Sequence, residues 1–221
     1  MNEVSTSRLS TSEGIVGLFL ALRKHGISEP ALLKGIEASP REQFIPVEFH
    51  DIAWQPVTLP IPCGQTIIPA ETALRMINAL ALEPSHAVLE LGTGTGFQTA
   101  LLARLSKKVI SVERYQTLID AALERIQRLD IQNVQIQQSN ALELSAGAGL
   151  YDRIITDLAF TDVPRYLLDL LTSNGVLVGA IGQPDEEQMV VRLTKIGSRF
   201  DREDLFPARF SSFEVGLPKT L

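Results

Sequence analysis

The 221-residue chain predicts an α/β fold built on a doubly wound, mostly parallel sheet. Three observations carry that expectation. Short apolar runs alternate with amphipathic stretches along most of the chain, the pattern of strand–helix–strand units. One of those runs, Val88-Leu89-Glu90-Leu91, passes directly into a loop with glycine at every second position, Gly92, Gly94 and Gly96. That loop opens onto a helical segment, Gln98 to Leu105, so strand, glycine turn and helix follow without a linker.

The elements follow in order. Residues 1–12 are rich in Ser and Thr with little to bury, and a disordered terminus is expected. Residues 13–24 carry apolar side chains on more than one helical face, so this helix is expected to lie deep or against a partner. Ser28-Glu29-Pro30 marks a helix start, and the helix from Ala31 to Ala38 stops before Pro40. The proline-rich stretch 40–70 reads as an irregular connection, and a loop of that length in a compact domain serves function or covers something. Residues 13–70 are therefore expected to form a helical and loop extension over the active site, ahead of a main domain at 71–221. From Glu71 an apolar stripe of Ala73, Leu74, Met76, Ile77 and Leu80 predicts a helix that Pro84 ends. Beyond the glycine loop, Lys108–Glu113, Val134–Asn140, Asp152–Asp157, Val176–Ile181, Met189–Ile196 and Phe210–Val215 read as strands. Helices are expected at Thr117–Leu129 and Val163–Thr172, the second stopped by Asn174-Gly175. With the strand before the loop this makes a seven-stranded, Rossmann-like sheet with a C-terminal antiparallel pair and a small N-terminal helical extension.

Composition excludes several classes. The longest apolar candidate, Gly14 to Leu22, is shorter than the roughly 20 residues of a membrane span and runs into Arg23-Lys24-His25. No basic segment precedes it as in a secretory leader, so a cytoplasmic protein without membrane contact is expected. A net charge of −6 with no Lys/Arg cluster argues against nucleic acid as partner. Cys63 is the single cysteine, and His25, His50 and His86 lie far apart, so neither a disulfide within the chain nor a metal site is expected.

The chemistry concentrates at the loop. Glycines permit close backbone approach, and Glu113 ends the next strand about 20 residues on, where its carboxylate can accept two ribose hydroxyls. Glu90 stands two residues before Gly92. A carboxylate there repels a pyrophosphate and attracts an ammonium and a sulfonium, which favours S-adenosyl-L-methionine over a dinucleotide.

Four segments resemble the protein-L-isoaspartate O-methyltransferases, over about residues 30–217: Ser39-Pro40-Arg41-Glu42-Gln43-Phe44-Ile45-Pro46; Gly64-Gln65-Thr66-Ile67 followed by Arg75-Met76; Val88 to Ala100; and Ser111-Val112-Glu113-Arg114. The resemblance implies methyl transfer from S-adenosyl-L-methionine to the carboxylate of isoaspartyl residues in damaged proteins or peptides. It implies a cofactor site of Glu90, Gly92, Thr93, Gly94, Gly96, Glu113, Arg114, Asn140 and Ala141. It also implies a substrate side of Gln65, Ile67, Asp157, Phe160 and Arg209. The family's run Gln-Thr-Ile-Ser-Gln-Pro, whose serine is assigned to the active site, becomes Gln65-Thr66-Ile67-Ile68-Pro69-Ala70. Ile68 donates no hydrogen bond, and a desolvated carboxylate lacking its donor costs roughly 1–3 kcal/mol; Thr66 is the candidate replacement. Asp157 stands where the family has small residues and would repel a substrate carboxylate. The proline of the family's C-terminal segment is absent from Arg209-Phe210-Ser211-Ser212-Phe213. Asn140-Ala141 replaces a common Asp-Gly pair, and the Asn140 amide oxygen still accepts from an adenine amino group. Two other readings stay open here: a methyltransferase with a small-molecule acceptor between Ile68 and Phe160, and a non-catalytic relative that binds the cofactor.

Overall fold

The computed structural model describes residues 11–144, 149–183 and 186–212. Helix α1 (Thr11–Lys24) buries Leu18 and Leu22, one turn apart, while Val16 and Leu20 face outward. Its two apolar faces are thus one packed and one exposed; residues 1–10 lie outside the described residues. Helix α2 (Pro30–Glu37) starts on its proline. The stretch that reads as irregular holds two 3-10 turns, Arg41–Phe44 and Val47–Ile52, and an antiparallel ribbon of β1 (Leu59–Ile61) and β2 (Gln65–Ile67). Helix α3 (Ala70–Ala79) buries the whole predicted stripe, and its end is held by Arg153, which donates to the carbonyls of Leu80 and Ala81.

The main sheet follows as β3 (Ala87–Leu91), α4 (Phe97–Leu105), β4 (Lys108–Glu113), α5 (Gln116–Arg128), β5 (Val134–Gln138), β6 (Tyr151–Phe160), β7 (Leu171–Ile181), β8 (Gln188–Ile196), β9 (Arg199–Ala208) and β10 (Ser211–Ser212). The strand order is β5-β4-β3-β6-β7-β8-β9, with β5 through β7 parallel and β7, β8 and β9 antiparallel. The chain winds outward from β3 toward β5, then returns to start β6 on its other side. Between β3 and β6 lies the switch point at which such sheets open a crevice beyond their strand ends. Helices α1 to α3 and the ribbon share one hydrophobic core with α4, α5 and one face of the sheet. Phe97 centres part of it, edge-on to Phe44 at 5.5 Å and Trp54 at 6.3 Å between centroids.

Three expectations are corrected. The helix expected over Val163–Thr172 is a 3-10 turn, Arg165–Leu170, and Leu171 already opens β7. Leu167, Leu170 and Leu171 are buried at helical spacing, which explains the misreading. Asn174, at φ 62°, and Gly175 lie within β7 rather than ending a helix. Strand β9 was not expected, because its sequence is charged and largely exposed, as suits a sheet edge. Finally, Ser211–Ser212 run parallel to β6, so the antiparallel end of the sheet is made by β8 and β9; Phe213 to Val215 lie outside the described residues.

Candidate active site

The three loop glycines all take positive φ: 94° at Gly92, 53° at Gly94 and 89° at Gly96. Each bend is tied down. The Gly92 N–H donates to Val112 O at 2.8 Å, and a side chain at 92 would come within 3.2 Å of Asp157 Oδ1. The Gly94 N–H donates to Glu113 Oε2 at 2.9 Å. Gly96 caps α4 against α5, where a Cβ would stand 3.1 Å from that of Ala122. Glu113 also accepts from the N–H groups of Arg114 and Tyr115, at 2.7 and 3.0 Å, so β4's terminal carboxylate holds loop and strand end together.

Beyond these strand ends opens a cleft, where ligands of such sheets bind. Gly92, Gly94, Glu113, Arg114, Asn140 and Ala141 line it on one side, with apolar walls from Val112, Leu118 and Leu158. The Asn140 amide oxygen accepts from the Leu142 N–H at 3.1 Å, which orients it and leaves a second lone pair for a ligand. Gln65, Thr66 and Asp157 complete the lining, Asp157 beside Gly92 and Gln65 within 3.4 Å of the Tyr115 hydroxyl. Thr66 is exposed, and its hydroxyl lies 3.4 Å from that of Ser211 on β10. Thr93, Ile67 and Ile68 line a smaller adjoining recess, and Ile68, 5% exposed, packs into the core.

Four predicted residues stand outside both cavities. Phe160 belongs to the second core cluster, Arg209 is exposed, and Gly96 acts through helix packing. Glu90 is fully buried behind the loop, because the alternation of β3 turns it, like Val88, toward α4. Its Oε2 accepts from the hydroxyls of Thr99 and Ser111 at 2.6 and 2.7 Å. Burial pushes its carboxyl up to about 8 against the pull of those two hydroxyls, so it is largely neutral at pH 7. The electrostatic preference assigned to Glu90 passes instead to Glu113 and Asp157, which face the cleft. Half-buried Asp157 is raised to about 7, first by burial and then by the charge of Glu113.

Sequence reading missed Arg41, Thr95 and Gln98, which line the smaller recess. Arg41 sits on a 3-10 turn more than 50 residues from the loop, and only the fold brings them together.

A glycine loop at the switch point, an acidic strand end and an antiparallel sheet edge together define a Rossmann-like methyltransferase. The family model described as protein-L-isoaspartate(D-aspartate) O-methyltransferase (PCMT) matches residues 16–213, reaching further toward the N-terminus than the four segments. A protein-L-isoaspartate O-methyltransferase of Bradyrhizobium sp. (strain ORS 278) is 42% identical over 203 residues, 91% of this chain and 94% of the relative. One from Rhizobium meliloti (strain 1021) is 36% identical over 191 residues, 86% and 94% of the two chains. The chain belongs to the protein-L-isoaspartate O-methyltransferase family. Among solved structures, a Plasmodium falciparum protein-L-isoaspartate O-methyltransferase in complex with S-adenosyl-L-homocysteine superposes with a TM-score of 0.75 at 26% identity, covering 90% of this chain and 97% of that one. The residues present fit S-adenosyl-L-methionine as cofactor: a carboxylate for ribose, apolar walls for a purine, and unpartnered buried polar atoms in the adjoining recess.

Proposed function

We propose that the chain transfers a methyl group from S-adenosyl-L-methionine to the free carboxylate of an isoaspartyl residue in a damaged protein or peptide. The observation that carries this reading is the cleft itself, in which Glu113, Asn140 and the glycine loop share one lining with the exposed Thr66, whose hydroxyl lies 3.4 Å from that of Ser211. When bound, S-adenosyl-L-methionine supplies a methyl group on a cationic sulfur, which a carboxylate oxygen displaces without a general base. The protein's work is placement. Glu113 takes the ribose hydroxyls, Asn140 and the backbone at Ala141 take the base, and the Gly92–Gly96 backbone lets the ligand approach closely. Thr66 and Ser211 donate to the acceptor carboxylate in place of the serine that Ile68 replaces. The Ile67 and Ile68 side chains keep water from the floor of the recess. Asp157, whose carboxyl burial and Glu113 raise to about 7 in the free site, is drawn back to its charged form by the cationic end of the cofactor, so its charge is met there rather than by the acceptor carboxylate.

The test is incubation with methyl-labelled S-adenosyl-L-methionine and a pair of peptides differing only in an isoaspartyl or a normal aspartyl residue. Base-labile label on the isoaspartyl peptide alone is expected. Label on neither peptide, with S-adenosyl-L-homocysteine still bound, would sink the acceptor assignment while leaving the cofactor site standing.

A further inference from the structure

The small recess beside the glycine loop opens from the nucleoside cleft and shares Thr66, Gly92, Gly94 and Asp157 with it. Three polar side chains line it with buried atoms that have no hydrogen-bond partner among the described residues. These are Arg41 Nε and Nη1, Thr95 Oγ1, and the amide oxygen of Gln98. Arg41 is fully buried; Thr95 and Gln98 are 3% and 8% exposed. Nη2 of Arg41 donates to Ile68 O at 2.6 Å, and the guanidinium lies 4.9 Å from the Phe97 ring centroid. Among the described residues no carboxylate forms an ion pair with it; the adjacent Glu42 acts on it only through its charge, and Glu42 Oε1 is taken by the Trp54 N–H. Burial lowers its pKa to about 9, so it is still a cation at neutral pH.

A buried cation with idle donors is costly unless something completes it. The planar fork of guanidinium donors matches a carboxylate. The neighbouring N-terminus of α4, nine residues long and without a side-chain cap, favours negative charge at the same place. Gln98 also borders the buried Glu90 and helps hold that carboxyl's pKa down, which occupies its amide NH2 and leaves its oxygen for an N–H donor. Carboxylate acceptor sites thus stand beside ammonium-binding groups, and the combination suits an α-amino acid.

We infer that Arg41, with the Thr95 hydroxyl, receives the α-carboxylate at the methionine end of the cofactor, while Gln98 Oε1 and Asp157 face its ammonium. Arg41 is then a positioning residue for the acceptor side as well, since the same guanidinium holds the Ile68 carbonyl, two residues along the chain from Thr66. The inference rests on S-adenosyl-L-methionine as cofactor and is independent of which acceptor is methylated.

Calorimetry with three ligands decides it: S-adenosyl-L-homocysteine, its decarboxylated analogue, and 5′-methylthioadenosine, which lacks the amino-acid end. On the wild type, removing the carboxylate should weaken binding about 10- to 100-fold. In Arg41→Met that gap should close to about twofold, because only the ligand with the carboxylate loses affinity. Arg41→Lys should keep part of it. Thermal melting of the ligand-free variants separates lost binding from lost folding. If Arg41→Met does not fold, Thr95→Val takes its place, with a severalfold narrowing expected. No gap on the wild type, or a gap unchanged in the folded variant, overturns the assignment. Failure of all three ligands to bind the wild type overturns the cofactor reading and this inference with it.

Discussion

The two walls of the cleft are built differently. The cofactor wall hangs from the ends of β3, β4 and β5, consecutive parallel strands of the sheet, and backbone N–H groups at Gly94, Arg114 and Tyr115 fasten it to one carboxylate. The wall proposed for the acceptor is a three-residue ribbon strand, the end of β6 and a two-residue strand, with a 3.4 Å contact between the Thr66 and Ser211 hydroxyls. The part that meets the same small molecule at every turnover stands on the sheet. The part that must admit an irregular polypeptide stands on short, exposed segments, where shape adapts at little cost.

Substitutions that act on one wall only test this division. Gly94→Val should have the largest effect. A β-branched residue at φ 53° is strained, and the N–H to Glu113 shifts with it. Loss of S-adenosyl-L-homocysteine affinity by about 100-fold or more is expected in calorimetry; near-normal binding would show that the loop yields. Thr66→Val should be milder and confined to the other wall, cutting kcat/KM for an isoaspartyl peptide about tenfold while homocysteine-ligand affinity stays within about twofold. A parallel fall in both would mean that the walls are not separable.

Glu90→Gln should touch neither wall and change stability alone. The folded protein holds the Glu90 carboxyl at about 8 rather than 4.5, so it keeps a proton that the unfolded chain gives up. Stability therefore falls as pH rises between those values and levels off above about 8. Glutamine retains an acceptor for Thr99 and Ser111, removes that decline and should add about 2 kcal/mol at pH 8, several degrees in melting temperature. Asp157, raised from 3.8 to about 7, contributes a similar decline that both proteins share and that cancels in the comparison, so the difference between them should grow most steeply between about pH 5.5 and 7 and flatten near pH 8. Equal melting curves at pH 8 would contradict a buried neutral carboxyl.

What was legible in the sequence was local. The Lys108–Glu113 strand matches residue for residue, and the α3 stripe is buried throughout, because an apolar period and its flanking stops reside in consecutive residues. The glycine loop announced its turn chemistry in the same way. Glu90 was misplaced because its neighbours in sequence do not reveal that α4 covers that face of β3. Strand β9 carries charge where a buried strand carries valine, so its pairing with β8 decides its structure. Arg41 was quoted only within a segment of resemblance, and its proximity to Thr95 and Gln98 depends on how the N-terminal turns pack against Phe97.

One ladder has a consequence for motion. Strand β3 leaves β6 after the Leu91–Thr156 pair, and Ser211–Ser212 occupy the vacated flank beside Leu158 and Ala159. Two rungs hold that flank, against nine paired positions between β8 and β9. Local openings begin where fewest bonds must break together. Amide hydrogens along β10 should therefore exchange with solvent well before those of β3 and β4. The mouth can breathe while the floor stays shut.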